Sequence, residues 1–153
     1  MSQGGVGIDL QTSLGYVLKE ASSALRAAME EVLRPLGMTI THYSCLELLA
    51  QRPGLSNSEL ARGAFVTRQS MNVLLQTLER DGYVTRPAEA AVGKTLPAQL
   101  TPRGRRSLER ASAAVRSVEV RMLSNLTSTE QAQALRLLRS MVRSLREADV
   151  TDS

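Results

Sequence analysis

Aromatic residues are scarce in this 153-residue chain: no Trp, one Phe and three Tyr, 3% of a sequence that is 42% hydrophobic. That imbalance excludes a core built on large rings. Leu, Ala, Met and Val must fill it, and such an aliphatic set packs helices more readily than it fills a β-sandwich. Cysteine is nearly absent as well. With Cys45 alone, no intrachain disulfide can form. His42 is the only histidine, and without a second one no metal site is expected. The chain has no Gly-rich phosphate loop and no acidic orienter in a motif with His42 or Cys45, so neither an enzyme nor a cofactor is expected. No apolar run approaches the length of a membrane span. The opening MSQGGVGIDLQ carries no basic segment followed by an apolar one. A soluble, cytoplasmic protein with no membrane partner is the expectation.

The charge that is present is unevenly placed. Formal net charge is +4, and lysine occurs only at positions 19 and 94. Arg62, Arg68, Arg80, Arg86, Lys94, Arg103, Arg105, Arg106 and Arg110 cluster between residues 60 and 110, opposed there only by Glu79, Asp81, Glu89 and Glu109. A basic stretch of this kind is compatible with a nucleic-acid partner. The length suits one domain, or one domain with dimerisation arms.

Periodicity supplies the elements. Residues 1–7 are Gly-rich and expected to be disordered. From Ile8 to Leu33 the apolar residues recur at helical spacing, until Pro35 and Gly37 end the run. Thr39 suits the N-cap of a second helix over Ile40–Gln51, and Pro53-Gly54 reads as a turn. Ser56-Asn-Ser-Glu59 is a capping box for a short helix that Gly63 breaks. Thr67 can cap a helix running to about Asp81, with Gly82 as its left-handed terminator. Tyr83–Arg86 and Ala98–Thr101 read as two strands around an irregular loop. Thr101-Pro102 starts a helix to about Ser124. Thr127-Ser-Thr-Glu130 is a second capping box, for a helix to about Ala148.

A helix-turn-helix followed by a hairpin is a winged helix. The expected fold is therefore mainly α, with a winged helix-turn-helix lobe over 38–101, helical dimerisation segments at 8–36 and 102–148, and a tail at 149–153. The long terminal helices have apolar stripes with too little core to bury them. A second copy is the simplest cover, through Leu10 and Leu14 on the first helix and Leu135, Leu138, Met141, Val142 and Leu145 on the last.

The helix after Thr67 carries the candidate site. Val66, Met71, Leu74, Leu75 and Leu78 fall on one side. The other side holds Arg68, Gln69, Asn72, Val73 and Gln76, with the amides three and four residues apart on one face. An amide donates and accepts at once, which matches adenine N6 and N7 in the major groove. Arg68 can reach guanine or phosphate, and Thr67 and Ser70 place short hydroxyls near a helix N-terminus, where phosphate binds well.

Four segments in order resemble the multiple-antibiotic-resistance regulator (MarR) family: Met38-Thr-Ile-Thr-His-Tyr-Ser-Cys-Leu46, Ser58-Glu-Leu-Ala61, Leu78-Glu-Arg-Asp-Gly-Tyr-Val-Thr-Arg86 and Leu100-Thr-Pro-Arg-Gly104. The resemblance spans about residues 10–148. It implies a bacterial homodimeric regulator, repressor rather than activator in the leading reading. Its first, fifth and sixth helices would pair the subunits, and each fourth helix would enter one half-site of a pseudopalindrome in double-stranded DNA. It also implies release by a small aromatic or anionic effector, for which Tyr16, His42 and Tyr43 are the candidate lining. Arg86 matches the family's arginine in the first wing strand, expected to contact phosphate or brace the wing. The family's Asp-x-Arg wing pair is replaced by Val92-Gly-Lys94. Lys94 keeps the charge without the planar fork, so looser minor-groove readout is expected. Some relatives sense peroxide through a cysteine near the start of the first helix. None stands there, and Cys45 is expected to be a buried small hydrophobe. The rival readings are a winged-helix dimer that binds ligand or protein without reading DNA, and a non-specific duplex binder.

Overall fold

The structure is a computed structural model and describes residues 7–86 and 97–148. The elements run α1 (Leu14–Leu33), a 3-10 turn at Arg34–Leu36, α2 (Ile40–Gln51), α3 (Asn57–Gly63), α4 (Arg68–Arg80), β1 (Val84–Thr85), β2 (Gln99–Leu100), α5 (Pro102–Met122) and α6 (Ser128–Ala148). The mainly helical, winged architecture is as expected. The expected disorder of the first residues and the tail at 149–153 lie outside the described residues, Gly7 excepted.

Local chemistry sets the boundaries. Thr39 accepts the His42 N–H at 3.1 Å and starts α2. Ser56 and Glu59 exchange the two bonds of a capping box, 3.2 and 3.1 Å long, and start α3. Thr67 accepts the Ser70 N–H at 3.0 Å and starts α4, which ends where Gly82 turns left-handed at φ 83°. Thr127 and Glu130 form the second capping box, at 3.2 and 2.9 Å.

Several boundaries differ from expectation. The first helix begins at Leu14, not Ile8. The Asp9 carboxylate accepts the Gln11 N–H and the Asp9 carbonyl accepts from Thr12 and Ser13, folding the chain into a turn. Ser13 then caps α1 by accepting the Tyr16 N–H. Ile8 and Leu10 thus precede the helix whose stripe they were expected to extend. α3 does end at Gly63, as expected, with the glycine as its last residue. A Cβ there would come within 2.9 Å of Leu48 Cδ1, so glycine serves a close approach of α2. The left-handed residue of this turn is Phe65, at φ 59°. The strands are two residues each, pairing Val84 with Leu100 and Thr85 with Gln99 in antiparallel register. α5 stops at Met122 rather than Ser124, where the Ser124 hydroxyl donates back to the Arg121 carbonyl.

Contacts divide the chain into two units, one to Val118 and one from Glu119. The first holds a core of Leu33, Met38, Cys45, Leu46, Leu49, Leu60, Ala61, Met71, Leu75, Leu78, Val84, Ala98, Leu108 and Ala111. It is aliphatic, as the shortage of aromatics requires. Cys45 lies fully inside it, and burial pushes its thiol up to about 12, so it packs as a hydrophobe. In the second unit α6 has no buried residue, and Leu135, Leu138, Met141, Val142 and Leu145 are all exposed.

Candidate nucleic-acid interface

α4 is a 13-residue helix with two unlike sides. Met71, Leu75 and Leu78 are buried against the first unit's core, and Leu74 and Val66 pack against it in part. That side fixes the helix. The other side is exposed at Arg68, Gln69, Asn72, Val73 and Gln76, as are Thr67 and Ser70 at its start. No acidic residue lies in its first turn. Across thirteen residues the only carboxylate is Glu79, near the C-terminal end.

The hydroxyls at the start of α4 are not equivalent. Thr67 accepts the Ser70 N–H and donates to the Ser70 hydroxyl oxygen at 2.9 Å, so its side chain is used by the cap. Ser70 keeps its own hydroxyl proton to donate. Asn72 accepts from the Asn57 amide at 3.4 Å, which leaves the Asn72 N–H groups free and links the starts of α3 and α4. Sequence reasoning missed Asn57. Its position in the first turn of α3 gave no sign that it reaches a residue fifteen positions away.

The wing root is built by contacts at longer range. The Arg86 guanidinium pairs with Glu79 at 3.4 Å and its side chain is only 19% exposed. In this structure Arg86 ties β1 to the C-terminal end of α4. Thr101 donates to the Gly82 carbonyl at 2.6 Å and accepts the Gly104 N–H at 3.0 Å, joining the turn after α4 to the start of α5. A Cβ on Gly104 would lie 2.1 Å from the Tyr83 carbonyl oxygen, so only glycine fits that crossing. Arg103 lies 4.8 Å over the Tyr83 ring and donates to its hydroxyl at 3.4 Å. His42 meets the same ring edge-on, with centroids 5.2 Å apart. Its Nε2 is buried without a partner among the described residues, and burial lowers its pKa against the smaller opposing pull of Asp81. Arg105, Arg106 and Arg110 are exposed along α5. Lys94, with Val92 and Gly93, falls outside the described residues.

The candidate effector residues lie on two helices, Tyr16 on α1 and His42 and Tyr43 on α2. Tyr16 is exposed on α1. Tyr43 is partly buried on α2, and that burial raises its pKa. Glu47 accepts the Ser112 hydroxyl at 2.8 Å and so links α2 to α5. The hollow at the α1–α2 junction is lined by Glu30, Arg34, Gly37, Met38, Thr39 and Ile40, none of them among the three candidates. Among the described residues no cluster of three or more metal-ligating side chains is found. No helix there is long and apolar enough to cross a membrane.

Fold and face together define a winged helix-turn-helix protein whose α4 exposes a polar face with no acid in its first turn. Comparison with known proteins agrees. A sequence model of the MarR family matches residues 36–94. The HTH-type transcriptional repressor Rv2887 of Mycobacterium tuberculosis is 43% identical over 136 residues, which cover 89% of this chain and 98% of the repressor. The crystal structure of that mycobacterial protein in complex with DNA superposes with a TM-score of 0.71 at 43% identity, covering 85% of this chain and 98% of the other. Its complex with salicylic acid gives 0.71 at 45% identity, with 85% and 96% covered. The transcriptional repressor CouR bound to p-coumaroyl-CoA gives 0.74 at 27% identity, with 92% and 99% covered. The chain belongs to the MarR family of transcriptional regulators.

Proposed function

We propose that this regulator is a cytoplasmic homodimer that represses transcription by binding a pseudopalindromic operator, one α4 per half-site. The observation that carries the reading is the contrast across α4. One side is locked into the core, while Arg68, Gln69, Asn72 and Gln76 stand exposed at groove-reading spacing with no acid among them. Ser70 and the caps at the helix start position the phosphate backbone, and the amides read base edges. Arg86 acts from the wing root, where its pair with Glu79 sets the wing against α4, and Lys94 adds charge from the wing itself.

The dimer buries the exposed stripes of α1 and α6, through Leu14 on one and Leu135, Leu138, Met141, Val142 and Leu145 on the other, with Leu10 just ahead of α1. A small aromatic acid releases the DNA from a site bordered by Tyr16, His42 and Tyr43. The support is the mycobacterial relative, solved with DNA and with salicylic acid.

Selection of source-genome fragments on the purified protein at near-physiological salt tests this. Enrichment of one pseudopalindrome with half-sites about one helical turn apart is the expected result. Retention without enrichment would make the protein a non-specific binder. No retention would leave a winged helix whose partner is another protein.

A further inference from the structure

The turn between α3 and α4 holds a residue that the fold does not use. Phe65 is the only phenylalanine in the chain. It is 86% exposed, more than any other large hydrophobic residue among those described. It is also the only described non-glycine residue at positive φ, at 59°. The other positive-φ positions, Gly37, Gly54 and Gly82, are glycines, which adopt that conformation without a Cβ penalty. A turn of this shape would be served by Gly or Asn. Phe gives it backbone strain and places an unpacked ring in water. Neither stability nor solubility gains from that arrangement.

The ring stands two residues before the α4 cap and three before Arg68. It therefore adjoins the start of α4, whose outer face is exposed. We infer that Phe65 is a further DNA-contacting residue, its ring packing on deoxyribose and a thymine methyl at the edge of the groove that α4 enters. A neutral ring suits those apolar parts of the duplex, which lie beside the phosphates that Arg68 reaches. This rests on the DNA-binding reading of α4 above.

The test is a duplex titration over several salt concentrations, using the fragment that the wild-type protein selects. Phe65→Gly and Phe65→Asn both suit the left-handed backbone, so both are expected to fold with an unreduced melting temperature. Each should bind about tenfold more weakly, the scale of losing part of one aromatic burial. The dependence on salt should not change, because no charge is lost. Phe65→Tyr keeps the ring and should restore the affinity. Arg68→Ala, measured alongside, should weaken binding and flatten the salt dependence. Gly and Asn variants that bind within twofold of wild type would overturn the inference while leaving the DNA reading intact. So would a weakened dimer as the source of the loss. A wild-type protein that selects no duplex would overturn both.

Discussion

Two parts of this molecule treat the same residue type in opposite ways. In the lobe around α4, Leu75 has no exposed surface. On α6, Leu145 is 74% exposed, and its neighbours along the stripe are open as well. Both helices have apolar residues at helical spacing, and pattern alone does not separate them. What separates them is the supply of partners within one chain. α4 packs against α3 and β1 in a core shared with α2 and α5, whereas no residue of α6 is buried among those described. Helical periodicity reports which face wants cover, not where the cover comes from. An open stripe this long on a MarR-family chain is the physical ground for the proposed second copy.

Breaking the lobe should cost most. Leu75→Ala removes a fully buried side chain and is expected to destabilise the protein by about 2–5 kcal/mol. Chemical denaturation would show this as a lower midpoint. Leu138→Glu tests the other region. It should leave the lobe folded by circular dichroism but shift the protein to monomer in sedimentation. Operator affinity should then fall by about 100-fold or more, because two half-sites no longer share one binding event. A dimeric Leu138→Glu protein would remove α6 from the interface. Gly104→Ala comes next. It drives a Cβ into the Tyr83 carbonyl, and overpacking of this kind costs about 1–3 kcal/mol. Its effect on DNA affinity should exceed its effect on melting, since the crossing sets the wing root.

The smallest effect is one of pH. His42 is held below the ordinary histidine pKa, chiefly by burial. The unfolded chain therefore binds the proton more readily than the folded one. The contribution from a neutral His42 is complete above about pH 6.5 and is lost as pH falls from there through the folded pKa. Melting temperature should fall over that range in wild type and less so in His42→Gln. Equal slopes in the two proteins would show that His42 does not titrate with folding.

Much of this was legible in local sequence. Thr39, Ser56, Thr67 and Thr127 cap their helices as read, because a cap needs only a hydroxyl and the amides two or three residues on. The polar face of α4 was legible because helix geometry alone aligns Gln69, Asn72 and Gln76. Other features depend on contacts that periodicity does not encode. Leu10 fits the stripe of α1, yet a turn at Asp9 excludes it from the helix. Gly63 ends α3 as read, but its close approach to Leu48 of another helix was not legible. Arg86 could have pointed at phosphate or at the wing, and only the folded chain shows Glu79 beside it. Phe65 was unreadable for the opposite reason. Hydrophobic pattern leads one to expect a lone Phe inside, and it stands outside.

The central claim is that exposed amides of α4 read bases. Site selection run side by side on wild type and Asn72→Ala tests it most directly. The account predicts that the variant selects the same pseudopalindrome with preference relaxed at one position of each half-site. An unchanged base preference at every position would contradict it.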